Sequence, residues 1–145
     1  RRINDDMGKY IADNAIIEMT KAGINPVRAK VAVFGINFKE NCPDLRNTKV
    51  LDIINHLQTY GCEIEVTDPY ADYEEAKKHL NIELLDLDHI AKCDVIIATV
   101  AHEIYNEITK DQWQKMFIGK GVLIDVKSIF GKDFFTNTSI NHWRL

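Results

Sequence analysis

Three cationic side chains in this 145-residue chain, Lys39, Arg46 and Lys127, stand where they could do chemistry. Lys39 and Arg46 belong to Gly35-Ile36-Asn37-Phe38-Lys39-Glu40-Asn41-Cys42-Pro43-Asp44-Leu45-Arg46, and Lys127 to Asp125-Val126-Lys127-Ser128. Two ammonium groups meeting at one crevice could take phosphate or carboxylate oxygens through charge-assisted hydrogen bonds, with Phe38 as an apolar face. A nucleotide or anionic sugar suits that set. A dinucleotide held wholly by this chain does not, because the turn is no G-x-G-x-x-G: only Gly35 is present, and bulky Phe38 and charged Lys39 follow it, so the backbone cannot wrap a pyrophosphate. A plainer reading stands beside this one, a solvated loop whose lysines touch nothing. Arg46 is equally double: it meets a ligand, or it pairs with Asp44, which contributes little if exposed.

Other polar residues invite weaker readings. Asp68 ends an apolar run, where dinucleotide folds hold a ribose hydroxyl. It also precedes Pro69, and Asp before a turn commonly shapes the turn, which is the favoured reading. His102 begins a polar turn beside the crevice, and a cap or surface role is favoured over a general base. Cys42, between Asn41 and Pro43, has no base nearby in sequence and is not read as a nucleophile. Cys62 and Cys93 stand at strand starts, where cysteine usually serves as a small core residue.

The elements that must position these groups follow from periodicity. Met7, Ile11, Ala15 and Met19 recur every four residues, which predicts a helix from about Asp5 to Ala22, capped by Asn4 or Asp5 and stopped at Gly23. Strands are expected at Val31–Phe34, Ile64–Thr67, Ile82–Leu85, Asp94–Val100 and Val122–Val126. Helices are expected at Asn47–Tyr60, Tyr73–His79 and Thr109–Phe117, with a helical turn at Asp88–Cys93. Met7, Met19 and Met116 fall on apolar helix faces and read as core. The main strands begin about 30 residues apart, the length of a βαβ unit. The expected fold is therefore α/β: a doubly wound, Rossmann-like parallel sheet of about five or six strands, preceded by a long N-terminal helix. Its strand order, 3-2-1-4-5 in these expected strands, reverses between the first and fourth. Open α/β sheets bind ligands at that point, so the loops after the first, fourth and fifth strands share one crevice.

Composition narrows the function classes. The chain is 46% hydrophobic and 28% charged with a net charge of −4, which suits one globular domain with a core and gives no basic stripe for nucleic acid. No apolar run approaches the ~20 residues that span a bilayer, and no membrane partner is expected. The N-terminus lacks the apolar segment of a signal peptide, so a cytoplasmic setting is expected. Three scattered cysteines make no disulfide framework, and neither they nor the five histidines have metal-ligand spacing, so no metal is expected.

The segment Gly35-Ile36-Asn37-Phe38-Lys39 through Asp44-Leu45-Arg46 resembles the G-x-x-F-K-x-x-x-x-D-x-R motif in the C-terminal UDP-binding domain of the UDP-glucose/GDP-mannose dehydrogenase family. Arg2-Ile3-Asn4-Asp5, Asp68-Pro69-Tyr70 and Asp125-Val126-Lys127 agree with it, and the likeness covers essentially the whole chain. The form Phe-Lys-Glu-Asn-Cys-Pro-Asp-Leu-Arg-Asn-Thr resembles the branch acting on UDP-N-acetylhexosamines, which feeds capsule and O-antigen polysaccharide synthesis.

The resemblance implies a two-step, four-electron oxidation of the sugar C6 alcohol to a carboxylate, with two NAD molecules reduced and a cysteine thioester between the steps. The family's nucleophile lies upstream, in segments this chain lacks. Cys42 does not match it, so no catalytic residue is assigned here and the chain alone is expected to be inactive. By the same resemblance Phe38, Lys39 and Lys127 contact the nucleotide sugar, and Arg46 approaches NAD held mainly by the missing N-terminal domain. Some members carry Arg where Lys127 stands; lysine keeps the charge but not the planar fork. Residues 1–24 would be a connecting and dimerisation helix with an exposed apolar stripe, and 25–145 the UDP-sugar-binding domain. The implied partners are a UDP-sugar, the missing N-terminal and central domains, and a second copy in a homodimer. Rival readings are a stand-alone nucleotide-binding module and a purely structural oligomerisation module.

Overall fold

A computed structural model of the chain describes residues 2–36 and 49–145. Helix α1 runs over Arg2–Lys21. It stops as the sequence implies: Gly23 has φ +79°, its N–H donates to Thr20 O at 3.1 Å, and Ile24 N–H donates to Met19 O at 2.9 Å. This is the Schellman closure, which needs a left-handed residue past the last turn. Helix α2, Val50–Thr59, closes the same way at Gly61, with Cys62 N–H on Leu57 O.

Five parallel strands follow the βαβ logic: β1 Lys30–Phe34, β2 Glu63–Thr67, β3 Cys93–Ala98, β4 Phe117–Asp125 and β5 Ile140–Arg144. Their order is β2-β1-β3-β4-β5, all neighbours parallel. Register makes flat rows across the three central strands: Val31 beside Val95 beside Val122, then Ala32, Ile96, Leu123, then Val33, Ile97, Ile124. Side chains alternate between the two faces of a strand, so the first and third rows enter one core and the second enters the other. One core is closed by α1 and α2 through Ile11, Ala12, Ala15, Met19, Ile53 and Leu57. The other is closed by Trp113 of α3 (Lys110–Lys115) with Tyr105, Phe130 and Phe135. Both faces being covered explains the apolar runs Val31–Phe34, Val95–Ala98 and Val122–Ile124 within β1, β3 and β4.

The doubly wound sheet and its leading helix match the sequence expectation, although α1 starts at Arg2, ahead of the expected cap, and the turn expected at Asp88–Cys93 is a 3₁₀ turn over Leu87–His89 with Cys93 already in β3. Four further local departures stand out. The expected strand Ile82–Leu85 is a single parallel bridge, Leu84 beside Val66, outside β2. Ile82 and Leu84 are buried but Glu83 is exposed, so only one face of this edge segment is engaged. The expected helix Thr109–Phe117 ends at Lys115, because Phe117 pairs with Cys93 and starts β4 five residues before the expected Val122. Strand β5 was not located in the sequence. Its Ile-Asn-His-Trp-Arg buries fully only Ile140 and carries polar residues between the apolar ones.

The fourth concerns α1, whose apolar stripe does not lie exposed. Ile11, Ala12, Ala15 and Met19 are buried within this chain, and α1 crosses α2 so closely that a Cβ on Gly8 would stand 2.6 Å from Asp52 Cβ. The stripe thus no longer argues for a purely structural oligomerisation role. Among the described residues no helix is long and apolar enough to cross a membrane.

Candidate functional site at the strand-order reversal

The order reverses at β1, with β2 on one side and β3 on the other, and the carboxyl ends of β1, β2 and β3 are tied together there. At the end of β1, Gly35 adopts φ +112° and passes tightly over β3. A Cβ on it would overlap Val100 Cγ1 and stand 2.6 Å from Thr99 Oγ1. The Thr99 hydroxyl lies within hydrogen-bond reach of the carbonyls of Phe34 (3.1 Å) and Gly35 (2.8 Å). Only glycine meets both the backbone and the space requirement there.

Asp68, at the end of β2, is the knot. It is buried, and its Oδ2 accepts the Ile36 N–H at 2.9 Å. Its Oδ1 accepts the Tyr70 N–H at 2.9 Å and lies 3.0 Å from His102 Nε2. The Tyr70 bond is the Asx turn that an Asp before a proline forms, so the turn-forming reading of Asp68 is the one the geometry shows. Ile36, the last described residue before the segment that carries Lys39, is thereby held by its backbone.

His102 departs from expectation. Its backbone starts the 3₁₀ turn Glu103–Glu107, but its side chain makes no cap and is fully buried. The ring lies 4.6 Å from that of Tyr70 and 5.5 Å from that of Tyr105. A carboxylate can only accept, so Nε2 donates to Asp68. Sequence spacing gave no sign of this, because the two residues are 34 positions apart. Burial pushes the neighbouring Tyr105 phenol far up, and the Asp68 charge adds to it.

Beyond β3, the end of β4 repeats the device. Buried Asp125 accepts the N–H of Ile129 through Oδ1 at 2.8 Å and that of Phe130 through Oδ2 at 3.0 Å. Its Oδ2 also lies 2.9 Å from His142 Nε2 on β5. The turn so fixed contains Lys127, whose side chain is exposed, and Ser128 at φ +52°. Since Ala98 and Asp125 are register partners, Lys127 follows β4 beside the Thr99–His102 segment that follows β3. Of the residues singled out from sequence, the structure thus brings Asp68 and His102 together and sets Lys127 one strand further along. Phe38, Lys39, Cys42 and Arg46 lie outside the described residues. Asp125 and His142 were not picked out in the sequence; the Asp125-Val126 pair ending an apolar run was the only signal.

The described cysteines are core residues. Burial raises the Cys93 thiol to about 12, with Asp94 and Glu65 adding, and raises Cys62 with help from Asp94. Neither is an activated thiolate. No group of three or more His, Cys, Asp or Glu among the described residues could hold a metal ion. Asp68, at the position where dinucleotide folds hold a ribose hydroxyl, is buried and engaged by three donors of its own chain.

Residues 32–132 match the UDP-binding domain of the UDP-glucose/GDP-mannose dehydrogenase family. Protein CapL of Staphylococcus aureus is 45% identical over 145 residues, covering 100% of this chain and 34% of that protein. UDP-N-acetyl-D-glucosamine 6-dehydrogenase of Salmonella typhi is 35% identical over 129 residues, covering 89% of this chain and 30% of its own length. The crystal structure of NDP-N-acetyl-D-galactosaminuronic acid dehydrogenase from Methanosarcina mazei Go1 superposes with a TM-score of 0.89 at 22% identity, over 99% of this chain and 30% of that one; at that identity it shows the fold. The chain thus spans about a third of the length of the relatives it matches.

Proposed function

This chain belongs to the UDP-glucose/GDP-mannose dehydrogenase family, and we propose that it is the C-terminal nucleotide-sugar-binding domain of an NAD-dependent UDP-sugar 6-dehydrogenase. The relatives named for UDP-N-acetylhexosamines favour that substrate class, and the product would be a UDP-uronic acid for capsule or O-antigen polysaccharide made in the cytoplasm. One observation carries the reading: the strand-order reversal gathers the ends of β1, β3 and β4 at one mouth, with Ile36 and the Lys127 turn pinned by buried carboxylates.

In this reading Phe38 and Lys39 emerge just past the pinned Ile36, and Lys127 reaches the same ligand from the β4 turn. The lysines neutralise the pyrophosphate and fix the sugar's orientation, the part of catalysis that positioning supplies. Arg46 reaches toward NAD. NAD accepts hydride when bound, and the engaged Asp68 supports its being held mainly by the missing N-terminal domain. The thiol chemistry falls to the missing segments, since Cys62 and Cys93 are buried and their thiols pushed up. Residues 1–24 would connect to the central domain, with 25–145 binding the UDP-sugar. The outer face of α1, where Tyr10 is 53% and Ile17 47% exposed, would meet a second copy in a homodimer.

The test is calorimetric titration of this chain with UDP, beside Lys39→Ala. UDP binding by the parent, weakened by about 1–3 kcal/mol in the variant, is the expected result for a lost charge-assisted contact. Equal binding by both removes Lys39 from the site. No binding by either, here and in the full-length enzyme, sinks the nucleotide-binding reading. Mixed with NAD and UDP-sugars, the isolated chain should form no NADH; NADH formation would refute its role as a partial site.

A further inference from the structure

Lys127 stands in a turn whose shape is set by the buried carboxylate of Asp125. Asp125 faces back into the protein and accepts three donors: the backbone N–H groups of Ile129 and Phe130, and His142 Nε2 at 2.9 Å. The His142 donor comes from a different strand, 17 residues on. The His142 side chain is 5% exposed, and its ring meets those of Phe135 and Phe130 edge-on at 5.1 Å and 6.3 Å. Its Nδ1 is buried with no hydrogen-bond partner among the described residues. Only the Nε2 side of the ring is therefore in use, and it is aimed at Asp125. Leu145, just past β5, adds a further tie through its N–H to Asp125 O at 3.2 Å.

We propose that His142 is a positioning residue for nucleotide-sugar binding: by holding Asp125 it fixes the 126–129 turn and so aims the Lys127 ammonium at the ligand. The proposal rests on the reading of Lys127 as a ligand residue. A buried carboxylate bonded by two adjacent backbone N–H groups already bends the turn. The third donor, from β5, fixes which way the carboxylate faces and so where the turn stands relative to the sheet. Without it, the Asp125 carboxylate loses its side-chain tie to β5 although its backbone stays held by Leu145; its two local bonds loosen, and Lys127 moves with the turn. Positioning errors of this kind reach affinity through contacts the mutated residue never makes.

The experiment compares UDP affinity by calorimetry in the 145-residue chain and in His142→Phe, His142→Gln, Lys127→Ala and the double variant His142→Phe/Lys127→Ala. Phenylalanine fills the aromatic niche and removes the donor, whereas the glutamine amide reaches about as far as Nε2 and restores it. Expected are about a tenfold loss in His142→Phe, near-parent binding in His142→Gln, and no added loss from His142→Phe once Lys127 is alanine. Amide hydrogen exchange in His142→Phe should quicken at Ile129 and Phe130 while the β4 amides of Val122–Ile124 stay protected. If His142→Phe is unstable, His142→Asn, whose shorter amide sits at the Nδ1 position and cannot reach Asp125, takes its place.

Parent-like UDP affinity in His142→Phe overturns the proposal, as does an equal loss with and without Lys127, which would mark His142 as structural only. Failure of the parent to bind UDP, in this chain and again in the full-length enzyme, would instead bring down the nucleotide-binding reading, and the proposal with it.

Discussion

Replacing Asp68 with alanine removes the acceptor that ties the ends of β1, β2 and β3. Three donors lose their partner: Ile36 N–H, Tyr70 N–H and His102 Nε2–H. The bonds to Ile36 and His102 are buried and the bond to Tyr70 is part-buried, so water can replace the last. A buried donor left unsatisfied costs about 1–3 kcal/mol, and two such donors sharing one acceptor do not add fully. The expected loss is about 3–4 kcal/mol, a large share of the roughly 5–15 kcal/mol that holds a domain folded.

Urea denaturation reads this directly. With a slope of about 1.5 kcal/mol per molar, the midpoint should fall by roughly 2–2.7 M without a change in slope. Asp68→Asn keeps one acceptor oxygen but sets an amide NH₂ against the Ile36 N–H, so it should lose about half as much. A midpoint shift below about 0.3 M in Asp68→Ala would refute the reasoning. It would mean that the three donors reach water, and the ribose-holding role of Asp68 would return.

Gly35→Ala should cost about 2–4 kcal/mol, since φ +112° is strained for a side chain and a Cβ overlaps Val100; a thermal melt within a degree of the parent would contradict the tight crossing. Gly8→Ala sets a helix-propensity gain of about 1 kcal/mol against a Cβ 2.6 Å from Asp52 Cβ, and the clash should win, with stabilisation in the melt as the contrary result. Cys93 gives a pH dependence. Its folded pKa, about 12, lies above the ordinary 9.0, so the unfolded chain releases this proton first and the thiol's contribution to stability is lost as pH rises from about 9 toward 12. The difference in urea midpoint between the parent and Cys93→Ala should therefore shrink from pH 8 to pH 10, and a constant difference would count against a buried neutral thiol.

Much of the fold was legible because burial on both faces leaves a mark in one dimension. Val31–Phe34, Val95–Ala98 and Val122–Ile124 read as apolar runs and form the three central strands. Edge segments leave no such mark. Ile82–Leu85 looked as apolar as a strand yet makes one bridge, while Ile140–Arg144 looked mixed yet pairs along its length with β4. The difference is the partner's geometry, which no local pattern encodes. In the site, the Asp-Pro turn was readable from Asp68 and Pro69 alone. The burial of His102 and the role of His142 were not, because each depends on an aspartate from another strand end meeting a histidine at a distance set by the sheet.

The two carboxylate ties also differ in when they can form. Asp125 and His142 are 17 residues apart, whereas Asp68 reaches Ile36 across 32 and His102 across 34, and Thr99 reaches Gly35 across 64. Each doubling of a closed loop adds roughly 0.6 kcal/mol of chain entropy, and parallel pairing across long loops is slow. The β4–β5 clasp therefore has the shortest search, and β1 docks onto β3 after the longest one. In a refolding chain the Lys127 turn should gain protection early, and Gly35 and Ile36 should come last, so that the mouth of the crevice is finished only when the rest of the sheet is in place.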